Sequence, residues 1–469
     1  MKPQKSGKQL RKVDFDALSL IEPDAAGVDI GGRSHLVAVP ADRDRQPVRE
    51  FPAYTSGLHE LADWLIACRV KTVAMESTGV FWVPLYELLE RRGIRVCLVN
   101  ARHVKNVPGR KSDVLDCQWL QKLHSYGLLR ASFRPDADFV KLRTYLRHRE
   151  SLIQSASAHI QHMQKALVLM NVQLHTVIAD VTGDTGMRII RDIVAGNYDP
   201  VALAEHRDYR CKASAEQIAE ALRGEYQEEY VFVLRQALEI YDRYQQSLAE
   251  CDRVIAQLLD HLKAATAAVD LPPLPKAKAS RNKCKKSRAK DFLPDVREAL
   301  HCITLGVDLT ATTGFGDLTA LQLLAEIGTD MSHWPTAKHF VSWATLAPSC
   351  RITGGKRHTA HRPASSHRVA EILRLAAVSV GRSHTALGAF HRRLSLRIGT
   401  AKAVVATAAK LGRIIYTMLK NRTLFADPGV DAYEARYRDR VLRNLKHRAA
   451  ELGFNLVPTP AVAEGGAVT

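Results

Sequence analysis

The spacing of apolar and polar positions changes character three times along this 469-residue chain. Between residues 25 and 126, short β-branched runs alternate with amphipathic stretches, as expected where strands and helices take turns. The expected strands are Ala25–Ile30, His35–Pro40, Val48–Tyr54, Thr72–Glu76 and Arg95–Val99, and the expected helices are Gly57–Cys68, Val80–Arg92 and Ser112–Tyr126. From Phe139 the period becomes a heptad: Phe139, Leu142, Leu146, Arg149, Ile153, Ala156, Ile160, Met163, Leu167 and Met170, one long helix with a single charged interruption. A second run, Leu234, Leu238, Tyr241, Gln245, Leu248, Asp252, Ile255, Leu259 and Leu262, suggests a partner helix. The two fit either an antiparallel hairpin within one chain or a coil that joins copies. Beyond residue 291 the pattern is again helical, up to about Asn421, followed by an Arg-rich helix near Ala432–Ala450.

Three strands, a helix, a strand, a helix, a strand and a closing helix is the element order of an RNase H-like fold. The fold class expected is therefore α/β plus α. Residues 1–24 read as a basic tail, 25–135 as the α/β domain, 136–271 as a helical coiled-coil region, 291–425 as a mainly helical domain and 426–469 as a basic helix and tail. Residues 272–290, PPLPKAKASRNKCKKSRAK, hold eight Lys and Arg among prolines and almost nothing apolar, the composition of a basic linker.

Composition adds a partner. The chain carries 67 Lys and Arg against 49 Asp and Glu, a formal charge of +18. A surplus of that size favours polyanions, nucleic acid first among them, because each neutralised phosphate releases counterions. The eight cysteines have no paired spacing, so neither a zinc site nor a disulfide framework follows, and free thiols suit a reducing cytoplasm. No apolar run approaches a membrane span, and the start, MKPQKSGKQLRKV, lacks the hydrophobic core of a signal peptide. A cytoplasmic, nucleoid-associated protein is expected.

The candidate chemistry is acidic. Asp29 in GVDIGG ends an apolar strand where a hydrophobic residue would be expected, Glu76 in VAMESTG sits at another strand tip, and Asp113 and Asp116 in KSDVLDCQW lie three apart on one helix face. Four such carboxylates can hold two divalent cations about 4 Å apart. Hard oxygen donors point to Mg²⁺ or Mn²⁺. Singly, Asp29 also fits a turn cap, and Asp113 with Asp116 fit ordinary first-turn acids. GVDIGGRS could also open an actin-like ATPase or sugar kinase, but the later phosphate and adenosine turns of that fold are not evident.

Asp29, the segment MESTGVFWVPLYELLERRG and the segment NARHVKNVPGRKSDVLDCQWL together resemble the RuvC-like DEDD domain of the IS110 insertion-sequence family. The resemblance continues through GVDLTATTGFGDLTALQLLAEIGTDMSHWPTAKHFVSWATLAP, RITGGKR and RVAEILRLAAVSVGRSHTALGAFHRRLSLRIGTAKAVVATAAKLGRIIYTML, and in this half it is nearest the IS1111 subgroup. It implies an RNA-guided recombinase. Asp29, Glu76, Asp113 and Asp116 would be the catalytic and metal-binding carboxylates. The family's nucleophile is a serine just before a glycine, and the matching residue here is Thr353, stiffer but with the same hydroxyl. Ser349 is the nearby fallback. The implied partners are element-end and target DNA, a non-coding guide RNA, and further copies of the chain as a dimer or tetramer.

Read by its residues, TTGFGDLTALQLLAEIG resembles a helix-hairpin-helix whose backbone amides can face a phosphate, and a plain helical hairpin fits equally. The segment LAPSCRITGGKRHTAHRPASSHR has hydroxyls, two glycines and many cations, with little to bury, and is expected to be a loop that meets a phosphodiester. Candidate nucleic-acid contacts are Arg110, Lys111, Lys283, Lys285, Lys286, Arg351, Lys356 and Arg357. Two other functions remain open: a RuvC-like structure-specific endonuclease, and a nucleic-acid-binding protein whose acidic site is inactive.

Overall fold

The computed structural model describes residues 19–77, 79–100, 113–266, 269–275, 295–348, 350–354, 356–359 and 367–457. The chain divides into two compact units, residues 1–134 and 135–469. The first is a mixed sheet with helices on both faces, and the second is mostly helical.

In the first unit, strands β1 (Ala25–Ile30), β2 (Ser34–Ala38), β3 (Val48–Pro52), β4 (Thr72–Glu76) and β5 (Arg95–Val99) form one sheet in the order β3-β2-β1-β4-β5. The first three are antiparallel neighbours, while β1, β4 and β5 run parallel. Helices α1 (Thr55–Ala67) and α2 (Trp82–Arg91) cover one face, where Val28, Val37, Phe51, Leu61, Leu65, Met75, Leu89 and Leu98 form a continuous core. Helix α3 (Asp113–Ser125) covers the other, packing Leu120 and Leu123 on Val99. Central strands buried on both faces read as near-continuous apolar runs, which is why β1 and β4 are so conspicuous in the sequence.

The second unit is built on two long helices, α4 (Ala137–Leu169) and α9 (Glu228–Ala264). They run antiparallel: the Cys251 thiol donates to the Tyr145 carbonyl, Arg149 Nε donates to Asp252 at 2.6 Å, and the His159 ring lies 5.6 Å from that of Tyr244. The charged interruptions of the two heptads thus meet each other. The heptad also misleads in one place, since Ile153, expected in the seam, is 41% exposed.

Between the long helices the chain folds a small helical cap: α5 (Leu174–Val177), α6 (Asp184–Val194), α7 (Pro200–Ala204) and α8 (Ala215–Ala221). Its core joins Ile189, Ile190, Ile193, Leu203 and Ile218 to Leu167 and Leu234 of the hairpin. The remainder comprises α10 (Val296–Ile303), a 3₁₀ turn (Leu309–Ala311), α11 (Asp317–Ile327), α12 (Ala337–Trp343), β6 (Cys350–Thr353), β7 (Lys356–Thr359), α13 (Arg368–Gly381), α14 (Ala386–Ile398), α15 (Thr400–Asn421) and α16 (Gly429–Glu451). Phe340, Trp334 and Tyr416 anchor this bundle, the Tyr416 hydroxyl donating to the Trp334 carbonyl at 2.6 Å. Arg147 clamps Glu326 of α11 through two hydrogen bonds. No helix among the described residues is long and apolar enough to cross a membrane.

Candidate active site

Asp29 and Glu76 follow directly on the last registered pair of β1 and β4, Val28 and Met75. Neighbouring strands lie about 4.8 Å apart, so the two acids sit side by side at the C-terminal edge of the sheet. Alternation along the strands puts them on the face of Gly27, Thr72 and Ala74, the face that α3 covers. Both are half-buried.

Two contacts fix the course of α3 across that face. At the start of β4, the Thr72 hydroxyl and His124 Nε2 are 2.9 Å apart. Two residues further along the strands, a Cβ on Gly27 would lie 2.2 Å from the Cys117 carbonyl oxygen and 2.3 Å from the Gln121 nitrogen. The helix therefore runs antiparallel to β1 and β4, and only glycine lets it approach so closely. Two strand residues advance about 6.6 Å, equivalent to roughly 4.4 residues of helix. The same step taken once more from Gly27 reaches Asp29 on the strand and the neighbourhood of Asp116 on the helix. The Ser125 carbonyl, which accepts from the Ile21 and Glu22 amides, ties down the far end.

Cys117 registers how near the helix comes to Asp29. Burial pushes its thiol up to about 11, with the charges of Asp29 and Asp116 both adding to the rise. The sulfur beside the acids is thus a neutral thiol. His124 is held below its ordinary value by burial, so it contributes no fixed positive charge. The N-terminus of α3, where the helix dipole favours carboxylates, points toward the edge that carries them.

Asp113 opens α3, but its side chain lies outside the described residues, as do Arg110 and Lys111. Among the described residues no group of three or more His, Cys, Asp or Glu is arranged to hold a metal ion. The structure thus brings Asp29, Glu76 and Asp116 to one edge of the sheet without closing them into a metal cage.

The segment expected to be a loop around Thr353 contains a β-hairpin instead. Thr353 and Lys356 are registered partners across a two-residue turn, Arg351 pairs with His358 and Ile352 with Arg357. Gly354 holds φ +58° in that turn, a left-handed backbone that favours glycine. Two glycines between short runs containing Ile and Thr are a hairpin signal in their own right, which the density of charge around them masks. Side chains at 351, 353, 356 and 357 lie outside the described residues, as do Ser349, Lys283, Lys285 and Lys286 altogether. In the hairpin-like segment further back, α11 opens after Gly316 with Asp317 in its first turn, a carboxylate where a bound phosphate would sit.

A family model described as "Transposase", of the DEDD type of IS110, matches residues 26–172. A second, described as "Transposase IS116/IS110/IS902 family", matches residues 308–392. The chain carries transposase domains of the IS110 family. It is also similar to the insertion element IS110 uncharacterized 43.6 kDa protein of Streptomyces coelicolor, 29% identical over 119 residues. That stretch is 25% of this chain and only 29% of the relative's length. Asp29, Glu76, Asp113 and Asp116 fall within the first matched domain, and Thr353, Lys356 and Arg357 within the second.

Proposed function

We propose that the chain is the transposase of an insertion sequence, a recombinase that cuts and rejoins DNA through Asp29, Glu76, Asp113 and Asp116 together with the hydroxyl of Thr353. The reading rests above all on the course of α3, which brings Asp116 level with Asp29 and Glu76 at the sheet edge. The donors there are carboxylate oxygens beside a thiol kept neutral by burial, which suits a hard divalent cation, Mg²⁺ or Mn²⁺, and disfavours a soft one. Such an ion, when bound, would supply positive charge at the scissile phosphodiester.

The chain's own part is to hold the acids at one edge and to present a hydroxyl on a tight turn. The Thr353 oxygen forms a bond to phosphorus while the bond from phosphorus to one strand-end oxygen breaks and that oxygen takes up a proton. A second strand end then displaces the threonine and reseals the DNA. On this reading residues 25–135 are a RuvC-like catalytic domain, 136–271 a coiled-coil region, 272–290 a basic linker and 291–425 the domain that carries the nucleophile. Arg110, Lys111, Lys283, Lys285, Lys286, Arg351, Lys356 and Arg357 contact nucleic acid, and a non-coding RNA chooses the DNA sites by base pairing, in a dimer or tetramer.

The test is to incubate the protein, its flanking non-coding RNA and supercoiled DNA with Mg²⁺ and to look for protein covalently joined to a DNA end. Asp29→Asn should abolish cutting; Thr353→Ala should abolish the adduct, and Thr353→Ser should retain it. Cutting that survives Thr353→Ala would instead identify a structure-specific endonuclease. The remaining alternative, a nucleic-acid-binding protein with an inactive acidic site, would bind DNA and cut nothing.

A further inference from the structure

Helices α14, α15 and α16 of the second unit border a cavity of about 1070 Å³. Its floor is one face of α15, hollowed at Ala406 and Ala409, with Lys402, Lys410 and Arg413 at helical spacing along the same face. Phe390 of α14 and Tyr433 of α16 supply aromatic walls. The Lys410 ammonium lies 4.1 Å from the Phe390 ring centre and 5.9 Å from that of Tyr433.

The charge around this cavity is one-sided. Lys402, Lys410, Arg413 and Arg436 line it against a single carboxylate, Asp427. Asp427 is already occupied, its Oδ1 accepting from the backbone amides of Ala386 and Gly429. Among the described residues none of the four cations forms an ion pair, whereas the neighbouring Arg393 is paired with Glu434. Burial, and after it Arg440, holds Lys410 below its ordinary value. A half-desolvated cation that faces rings and no anion is an incomplete arrangement.

We infer that this cavity receives an unstacked base of a single-stranded nucleic acid, with Phe390 and Tyr433 as its stacking surfaces and the four cations on the flanking phosphates. An apolar, aromatic-walled cavity with a few charged groups at its border is the usual form of a small-ligand site, and aromatic stacking beside a basic groove is how unpaired strands are held. The exposed end of α16 in a second copy, with Leu452 and Phe454, is the competing occupant. It would bring Arg443, Lys446 and Arg448 against four like charges, whereas a base with its phosphates satisfies walls and border together. The inference rests on nucleic acid being the partner, as in the reading above, and not on the acidic edge.

The experiment uses the full-length protein with 2-aminopurine-labelled single-stranded DNA, the same sequence as RNA, and the corresponding duplex. Phe390→Leu and Lys410→Met should each weaken single-strand binding by about fivefold or more and remove the 2-aminopurine signal, with duplex affinity unchanged. The DNA and RNA arms show which strand occupies the site. Should Phe390→Leu fail the thermal-unfolding check, Lys410→Met and the exposed pair Lys402→Gln and Arg436→Gln carry the test. Wild-type single-strand affinity in folded variants, or an equal loss on duplex, would overturn the inference. So would loss of self-association with single-strand binding intact, which would make a second copy the occupant. Asp29→Asn should bind single strands like the wild type, so failure of the cleavage reading and failure of this one are told apart.

Discussion

Gly27→Ala tests whether the acids depend on the seating of α3. The added methyl would meet the Cys117 carbonyl oxygen at 2.2 Å and the Gln121 nitrogen at 2.3 Å, both backbone atoms that cannot rotate away. Ordinary contact needs about 3.4 Å or more, so the helix must retreat by roughly 1 Å. Overpacking of this kind costs about 1–3 kcal/mol. A displacement of about 1 Å among catalytic groups costs about a hundredfold in rate. The expected variant is therefore folded, with a modestly lower urea midpoint, and nearly inactive in strand cleavage. The Cys117 thiol supplies an independent readout, because a retreat of α3 would loosen its burial and draw it away from Asp29, and both changes should lower its pKa from about 11. An alanine variant with wild-type cleavage and unchanged stability would refute the proposed seating, and with it the approach of Asp116 to Asp29.

Three further outcomes follow from the structure. Arg149→Met should cost about 2–3 kcal/mol in urea unfolding, less than the roughly 3–5 kcal/mol of a fully buried pair, because Arg149 and Asp252 keep 15% and 20% of their side-chain exposure. Adding Asp252→Leu should restore most of the loss, since the lone carboxylate, which burial already pushes toward its neutral form, is then gone. In the first unit, the Trp64 indole, the Gln46 amide and Arg49 hold the Asp44 carboxyl down at about 2 from an ordinary 3.8. Its contribution is complete above about pH 4 and fades as the pH falls toward 2, so the stability gap between wild type and Asp44→Asn should narrow over that interval. Gly354→Ala has open space for its methyl but keeps φ +58°, so about 1–2 kcal/mol of local strain should appear as faster amide exchange at Thr353 and Lys356 with little change in overall melting.

What could be read from the sequence follows from how each feature is held together. Strands β1 and β4 are legible almost to the residue because burial on both faces requires unbroken apolar runs, and an acid at the end of such a run is conspicuous. Arg149 and Asp252 are visible as interruptions in two heptads, although only the antiparallel pairing explains why each tolerates the other. The cap between the long helices leaves little trace. Its four helices are 4 to 11 residues long, too short for periodicity to outweigh the turns that join them. Gly27 is invisible for a different reason: a glycine inside a strand usually signals weakness, and only the helix lying on it shows that the missing side chain is what admits α3. The same holds for Ala406 and Ala409, ordinary helix formers whose small size matters because they leave a hollow beneath Lys410. A side chain that is present announces its chemistry in the sequence. One that is absent counts only against the neighbour it admits, so the two spaces on which the functional readings depend become apparent only once α3 and α15 are in place.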